Sequence, residues 1–221
     1  MPNLQDFVIN DCALVPLATG VRAQGLPGLR EGLLTVPANC VYYHFWGGLL
    51  RARFDDPEFN NDFAVWVRHA LHDLPLAERL AVIDPAEFAD AEALRQEVLE
   101  LVEQRLDEIE APTWAPRDRQ FHFMHGQLVV FDSGRRLHDP RELVDLLPQL
   151  SAGSVFYHLI DARRREPQGE DDFHAWLCAL DAGHEGLVAR LAQIDPYFVS
   201  LADLRAQYAA ACRAHFAGAP A

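Results

Sequence analysis

Lysine is absent from this chain of 221 residues; all nineteen basic side chains are arginine. That absence removes Schiff-base chemistry on a carbonyl or pyridoxal substrate, and it removes the lysine of a phosphate-binding P-loop. Positive charge is scarce as well. Against 33 acidic residues the formal net charge is −14, so a protein that must neutralise a phosphate backbone is excluded and no nucleic-acid partner is expected. No apolar run reaches the roughly 18 residues that a membrane span requires, and no membrane partner is expected. The opening MPNLQDFVIND has no basic segment ahead of an apolar one, which points to a cytoplasmic protein. The four cysteines, Cys12, Cys40, Cys178 and Cys212, form no Cys-x-x-Cys pair, so they read as buried reduced thiols and not as a disulfide or zinc framework. Also missing are a Gly-rich dinucleotide loop, a Gly-x-Ser-x-Gly elbow and a His-Glu-x-x-His helix. No cofactor and no metal are expected.

What is present is internal similarity. Aligned without gaps, residues 7–45 and 121–159 are identical at 11 of 39 positions. The match resumes after a four-residue deletion, pairing Asp62-Phe63-x-x-Trp66 with Asp172-Phe173-x-x-Trp176. It continues through Ile83-Asp84-Pro85 with Ile194-Asp195-Pro196 and Leu94-Arg95 with Leu204-Arg205. Such collinearity implies a tandem duplication, with a first module at 1–110, a proline-rich linker at 111–120 and a second module at 121–221. A pseudo-two-fold arrangement of the modules is the corresponding expectation.

Each module opens with two short β-type runs split by a polar pair, Asn10-Asp11 or His125-Gly126. This predicts a β-hairpin, with Gly20 and Gly134 turning the chain out of it. Five helical patterns follow. Asp139-Pro140 starts one in the second copy. Its counterpart around Leu29 and Leu33 is expected to be weaker because of Gly25, Gly28 and Gly32. Ser154 is read as the cap of the second helix, and the equivalent helix at 41–53 is expected to kink at Gly47-Gly48. Asp62 and Asp172 are read as N-caps before amphipathic runs. A short helix closed by Asp84-Pro or Asp195-Pro and a long helix near 90–110 or 200–216 complete the module. The fold class is therefore α+β and predominantly helical, a β-hairpin plus about five helices, twice over.

The strings Val41-Tyr42-Tyr43-His44-Phe45, Asn60-Asn61-Asp62-Phe63 with Trp66, residues 80–85 and Ala93-Leu94-Arg95 resemble an uncharacterised family of bacterial and archaeal proteins, catalogued as a domain of unknown function. The second copy carries the same signature over 154–165 and 171–176. The resemblance implies the module and supplies no activity, ligand or catalytic residue.

Among polar residues, the similarity keeps one set in both copies: His44 and His158, Arg51 and Arg165, Arg22 and Arg136, Asp62 and Asp172. A histidine and an arginine seven residues apart share a helix face. They would offer an imidazole and a guanidinium fork to a carboxylate or phosphate. The same residues also fit a packed histidine and an arginine paired with one of many acids. Tyr43 and Tyr157 read as a packing stripe, and Asp84 and Asp195 as turn residues. The pairs His69/His72 and His122/His125 are not shared between copies and lack a third ligand. The function expected is a non-enzymatic binding or regulatory protein for a small anionic molecule or a protein partner. The alternative is a metal-independent hydrolase or isomerase with a composite His/Asp/Arg pocket between the modules.

Overall fold

A computed structural model describes residues 6–50, 59–165, 169–180 and 183–217. Its sheet has two strands, β1 (Phe7–Ala23) and β2 (Phe121–Leu137), paired antiparallel. The expected hairpins are thus corrected: residues 7–23 and 121–137 each form one long strand, and the strands pair with each other. A two-residue hairpin turn needs positive φ at its central residues. Among the described residues only His72, Gly20, Gly134, Gly169 and Gly183 have positive φ, so neither Asn10-Asp11 nor His125-Gly126 turns. Gly20 and Gly134 do adopt φ of 82° and 76°, yet the chain stays in the strand on either side of them. The residue before each glycine anchors this distortion. The Thr19 hydroxyl donates to the Phe123 carbonyl at 2.8 Å, and the Ser133 hydroxyl to the Ile9 carbonyl at 2.6 Å.

The chain divides into two compact units, one of Leu14–Gln127 and one of Met1–Ala13 with Leu128–Ala221. Their bounds differ from the expected modules at the strands, because one unit contains residues 7–13 of β1 and the other residues 121–127 of β2. In the unit Leu14–Gln127 the helices are α1 (Leu26–Thr35), α2 (Asn39–Trp46), α3 (Asp62–Trp66), α4 (Leu74–Ala81) and α5 (Ala91–Glu108). Helix α2 tightens into a 3₁₀ turn at Gly47–Leu50, where the glycine pair was expected to bend it. Helix α1 is regular over ten residues, which corrects the expectation of a weak helix. Gly32 is a requirement there, since a Cβ would collide with the Phe123 ring. Arg95 of α5 donates to the Leu33 and Val36 carbonyls at 3.2 Å, satisfying acceptors at the α1 C-terminus that the helix leaves open.

In the other unit the helices are α6 (Leu143–Leu146), α7 (Ala152–Val155), α8 (Ala162–Arg165), α9 (Asp172–Ala179), α10 (Glu185–Leu191) and α11 (Leu201–Ala217). A π-helical stretch, Phe156–Asp161, runs from α7 to α8. The cap of α7 is Ser151, whose hydroxyl accepts from the Ser154 amide, and not Ser154 itself. Phe156, Phe173, Leu177, Leu187, Leu204 and Tyr208 form the buried core of this unit; Phe45, Phe63, Leu76, Leu80, Val98 and Phe123 form that of the other. Cys12, Cys40 and Cys212 are buried free thiols, whereas Cys178 is exposed, contrary to the expectation for all four. No described helix is long and apolar enough to cross a membrane.

Candidate functional site

Each unit holds one of the shared histidines, and the two stand in the same surroundings. His44 projects from α2 and is 2% exposed, with Phe121, Phe63 and Phe123 around its ring. Its Nδ1 lies 2.9 Å from Asp62 Oδ2, and its Nε2 accepts the Met124 amide proton at 3.0 Å. His158, in the π-helical stretch, is 1% exposed and packs on Phe7 and Phe173. Its Nδ1 lies 2.7 Å from Asp172 Oδ2, and its Nε2 accepts the Asn10 amide proton at 2.9 Å. An acceptor at Nε2 and a carboxylate at Nδ1 assign the neutral tautomer protonated on Nδ1. Only alternate amides of a paired strand face its partner. The amides of Asn10 and Met124 are taken by histidine instead, so each ring fastens a strand to a helical layer.

The aspartates are the first residues of α3 and α9, not their caps. The caps are the preceding residues: Asn61 Oδ1 accepts from the Ala64 amide, and Asp171 Oδ1 from the His174 amide, each at 2.9 Å. This one-residue correction releases Asp62 and Asp172 to face the histidines. Arg165 shares an acceptor with His158, because its Nη2 donates to the same Asp172 oxygen at 2.9 Å. Its Nε also donates to Asp161 at 3.0 Å, and its guanidinium lies 4.0 Å over the Tyr157 ring. Burial disfavours the charge of Arg165, but Asp172, Tyr157 and Asp161 outweigh it and raise the pKa. Arg51 lies outside the described residues. Arg22 and Arg136 do not join the histidines. Arg22 is exposed on β1. Arg136 binds Asp132 at 2.8 Å, and that pairing, with the Gly134 amide, holds the Asp132 carboxyl down at about 2. The Arg165 guanidinium is thus taken up by Asp172 and Asp161, and Arg136 by Asp132.

The model of a family of unknown function matches residues 4–213. The chain belongs to that family, DUF5752. One solved structure, OrfY from Thermoproteus tenax, resembles this DUF5752 chain with a TM-score of 0.82, at 27% identity and over 97% of both chains. No curated protein matches it.

Three further polar features of the DUF5752 chain escaped the sequence reading. Asp171 is 1% exposed and also accepts from the Tyr208 hydroxyl at 2.8 Å. Burial pushes its carboxyl pKa up, against the bonds from His174 and Tyr208. The residue aligned with it in the first half of the sequence is Asn61, which makes the same cap without a charge. An open groove of about 400 Å³ is lined by Arg135, Arg136, Leu137, Glu142, Asp145, Leu146 and Gln149, cations and acids together. Glu170, His174 and Cys178 bring ligating atoms within 4.8 Å of one another. Their spacing of four and four is a signal legible in the sequence, though it does not recur at the aligned residues Asn60, Ala64 and Arg68.

Proposed function

We propose that this protein is a non-enzymatic interaction module that docks a partner protein through the middle of β2. The carrying observation is a run of three consecutive exposed apolar residues, Val129, Val130 and Phe131, at 46%, 43% and 50% exposure. Neighbouring strand residues on a single face alternate, so three exposed in sequence leave both faces of the segment uncovered. Such runs are avoided on a surface with no partner to cover them. The engagement of the buried His44 and His158 with Asp62 and Asp172, and of Arg165 with Asp172 and Asp161, supports a partner protein over a small anion, and supports binding over acid–base catalysis.

We also infer that the two units descend from one duplicated module. Matched contacts support this: the histidine latches, the Thr19 and Ser133 anchors, and the Asp84 and Asp195 turns, whose carboxylates each accept the amide two residues on at 2.8 Å.

Phe131→Glu tests the docking reading. Covering the exposed half of a phenylalanine is worth about 2 kcal/mol, so a partner identified by co-purification and reconstituted pure should bind the variant at least about tenfold more weakly by calorimetry. Unchanged affinity for that purified partner would refute the assignment. Self-association lost in the variant by sedimentation would replace the foreign partner with a second copy of the chain.

A further inference from the structure

We propose that Glu170, His174 and Cys178 form a binding site for one divalent transition ion of the zinc class. The three residues are spaced four apart, Glu170 in the segment just ahead of the Asp171 cap and the other two one turn apart on α9. A helical side chain leans toward the N-terminus, which carries the Cys178 thiol back toward His174, while the long Glu170 side chain reaches forward. His174 Nε2 and Glu170 Oε1 are 3.0 Å apart, and all three donor atoms lie within 4.8 Å of one another. Bonds of about 2.0–2.3 Å to a tetrahedral zinc ion would place donors roughly 3.3–3.7 Å apart. Small rotamer changes in the exposed Cys178 and the half-buried Glu170 close that difference.

One carboxylate oxygen, one imidazole nitrogen and one thiolate sulfur make a borderline-soft donor set. It suits zinc, cobalt or nickel and disfavours magnesium and calcium, which take oxygen alone. Three protein ligands leave a fourth position open to water. Binding removes the thiol proton to solvent as the metal–sulfur bond forms, and the two anionic ligands balance the ion's charge.

The fold does not require this stripe. At the aligned positions the other copy has Asn60, Ala64 and Arg68, and it still forms α3 with a capping side chain at Asn61. Among the described residues this is the one group of three or more His, Cys, Asp and Glu side chains with metal-binding geometry. It includes the one exposed cysteine. It makes no use of the docking segment, so Phe131→Glu leaves it intact.

The test uses full-length protein, stripped with a chelator and kept reduced, titrated with Co²⁺. One ion per chain should bind and produce a thiolate-to-cobalt charge-transfer band that Zn²⁺ removes by competition. Cys178→Ser should abolish that band with unchanged circular dichroism, since the side chain is exposed. His174→Ala should weaken Zn²⁺ by more than the roughly 10- to 100-fold that loss of an outer-sphere partner costs. No charge-transfer band in the wild-type chain, or a band that persists in Cys178→Ser, would overturn the proposal.

Discussion

Replacing His158 by glutamine and by asparagine separates the two bonds of its ring. Glutamine places an amide oxygen near the position of Nε2 and keeps an acceptor for the Asn10 amide. Asparagine places an amide nitrogen near Nδ1 and keeps a donor for Asp172. Both variants lose ring contacts with Phe7 and Phe173, whose centroids lie 5.2 and 5.4 Å away. Those contacts contribute about 1–2 kcal/mol together. In the asparagine variant the Asn10 amide, bonded at 2.9 Å in the wild type, has no acceptor, at a cost of about 1–3 kcal/mol. In the glutamine variant Asp172 Oδ2 loses its histidine but keeps Arg165 at 2.9 Å, so that loss costs about 0.5–1.5 kcal/mol. Asparagine should therefore destabilise the unit by about 2–5 kcal/mol and glutamine by about 1.5–3.5 kcal/mol. Urea unfolding measures the totals, and amide exchange at Asn10 isolates the decisive term: protection should fall in His158→Asn and persist in His158→Gln. If Asn10 stays protected in both variants, the histidine is not holding the strand through Nε2.

The native state binds the Asp171 proton more tightly than the unfolded chain, because burial raises its folded pKa. Stability should fall as pH rises from the unfolded value through the folded one. Asp171→Asn, which copies Asn61, should remove that slope and stabilise the protein at neutral pH by about 1 kcal/mol; melts across pH 4–8 that show a loss instead refute the account. Gly28→Ala meets only Ala23 at 3.4 Å and should gain up to about 1 kcal/mol of helix propensity. Gly32→Ala drives a methyl into the Phe123 ring and should lose about 1–3 kcal/mol, so melting shifts of the same sign in the two variants contradict the packing described. In the native, reduced, metal-free protein one thiol, Cys178, should react with a disulfide reagent. Cys12, Cys40 and Cys212 are buried, with the Cys12 and Cys212 thiols pushed up to about 12, and a second fast thiol contradicts this burial.

Much of the local chemistry was readable where its partners were close in sequence. Asp90 caps α5, Asp139 accepts from the Arg141 amide, and Asp84 accepts from Ala86, all within three residues. The strands were misread because two short apolar runs around Asn10-Asp11 fit a hairpin as well as a single long strand. The choice depends on a pairing partner more than 100 residues away. Taking Asp62 for a cap failed by one residue, since Asn61 and Asp62 are both good capping side chains and only the backbone at Asn61 is extended, with ψ of 155°. His44 and His158 were found, but their role was open. An imidazole on a helix face reads the same whether its second nitrogen awaits a ligand or already holds a strand amide.

By itself, the sequence determined the helical patterning, the lysine-free acidic character and the recurrence of one polar set, because composition and short-range periodicity are written along the chain. Only the tertiary structure decided that the strands pair with each other, that the histidines are latches, and that residues 129–131 stand exposed while Asp171 is buried. Those outcomes depend on which distant backbone amides and rings reach each side chain. They are properties of long-range contact, which no local pattern encodes.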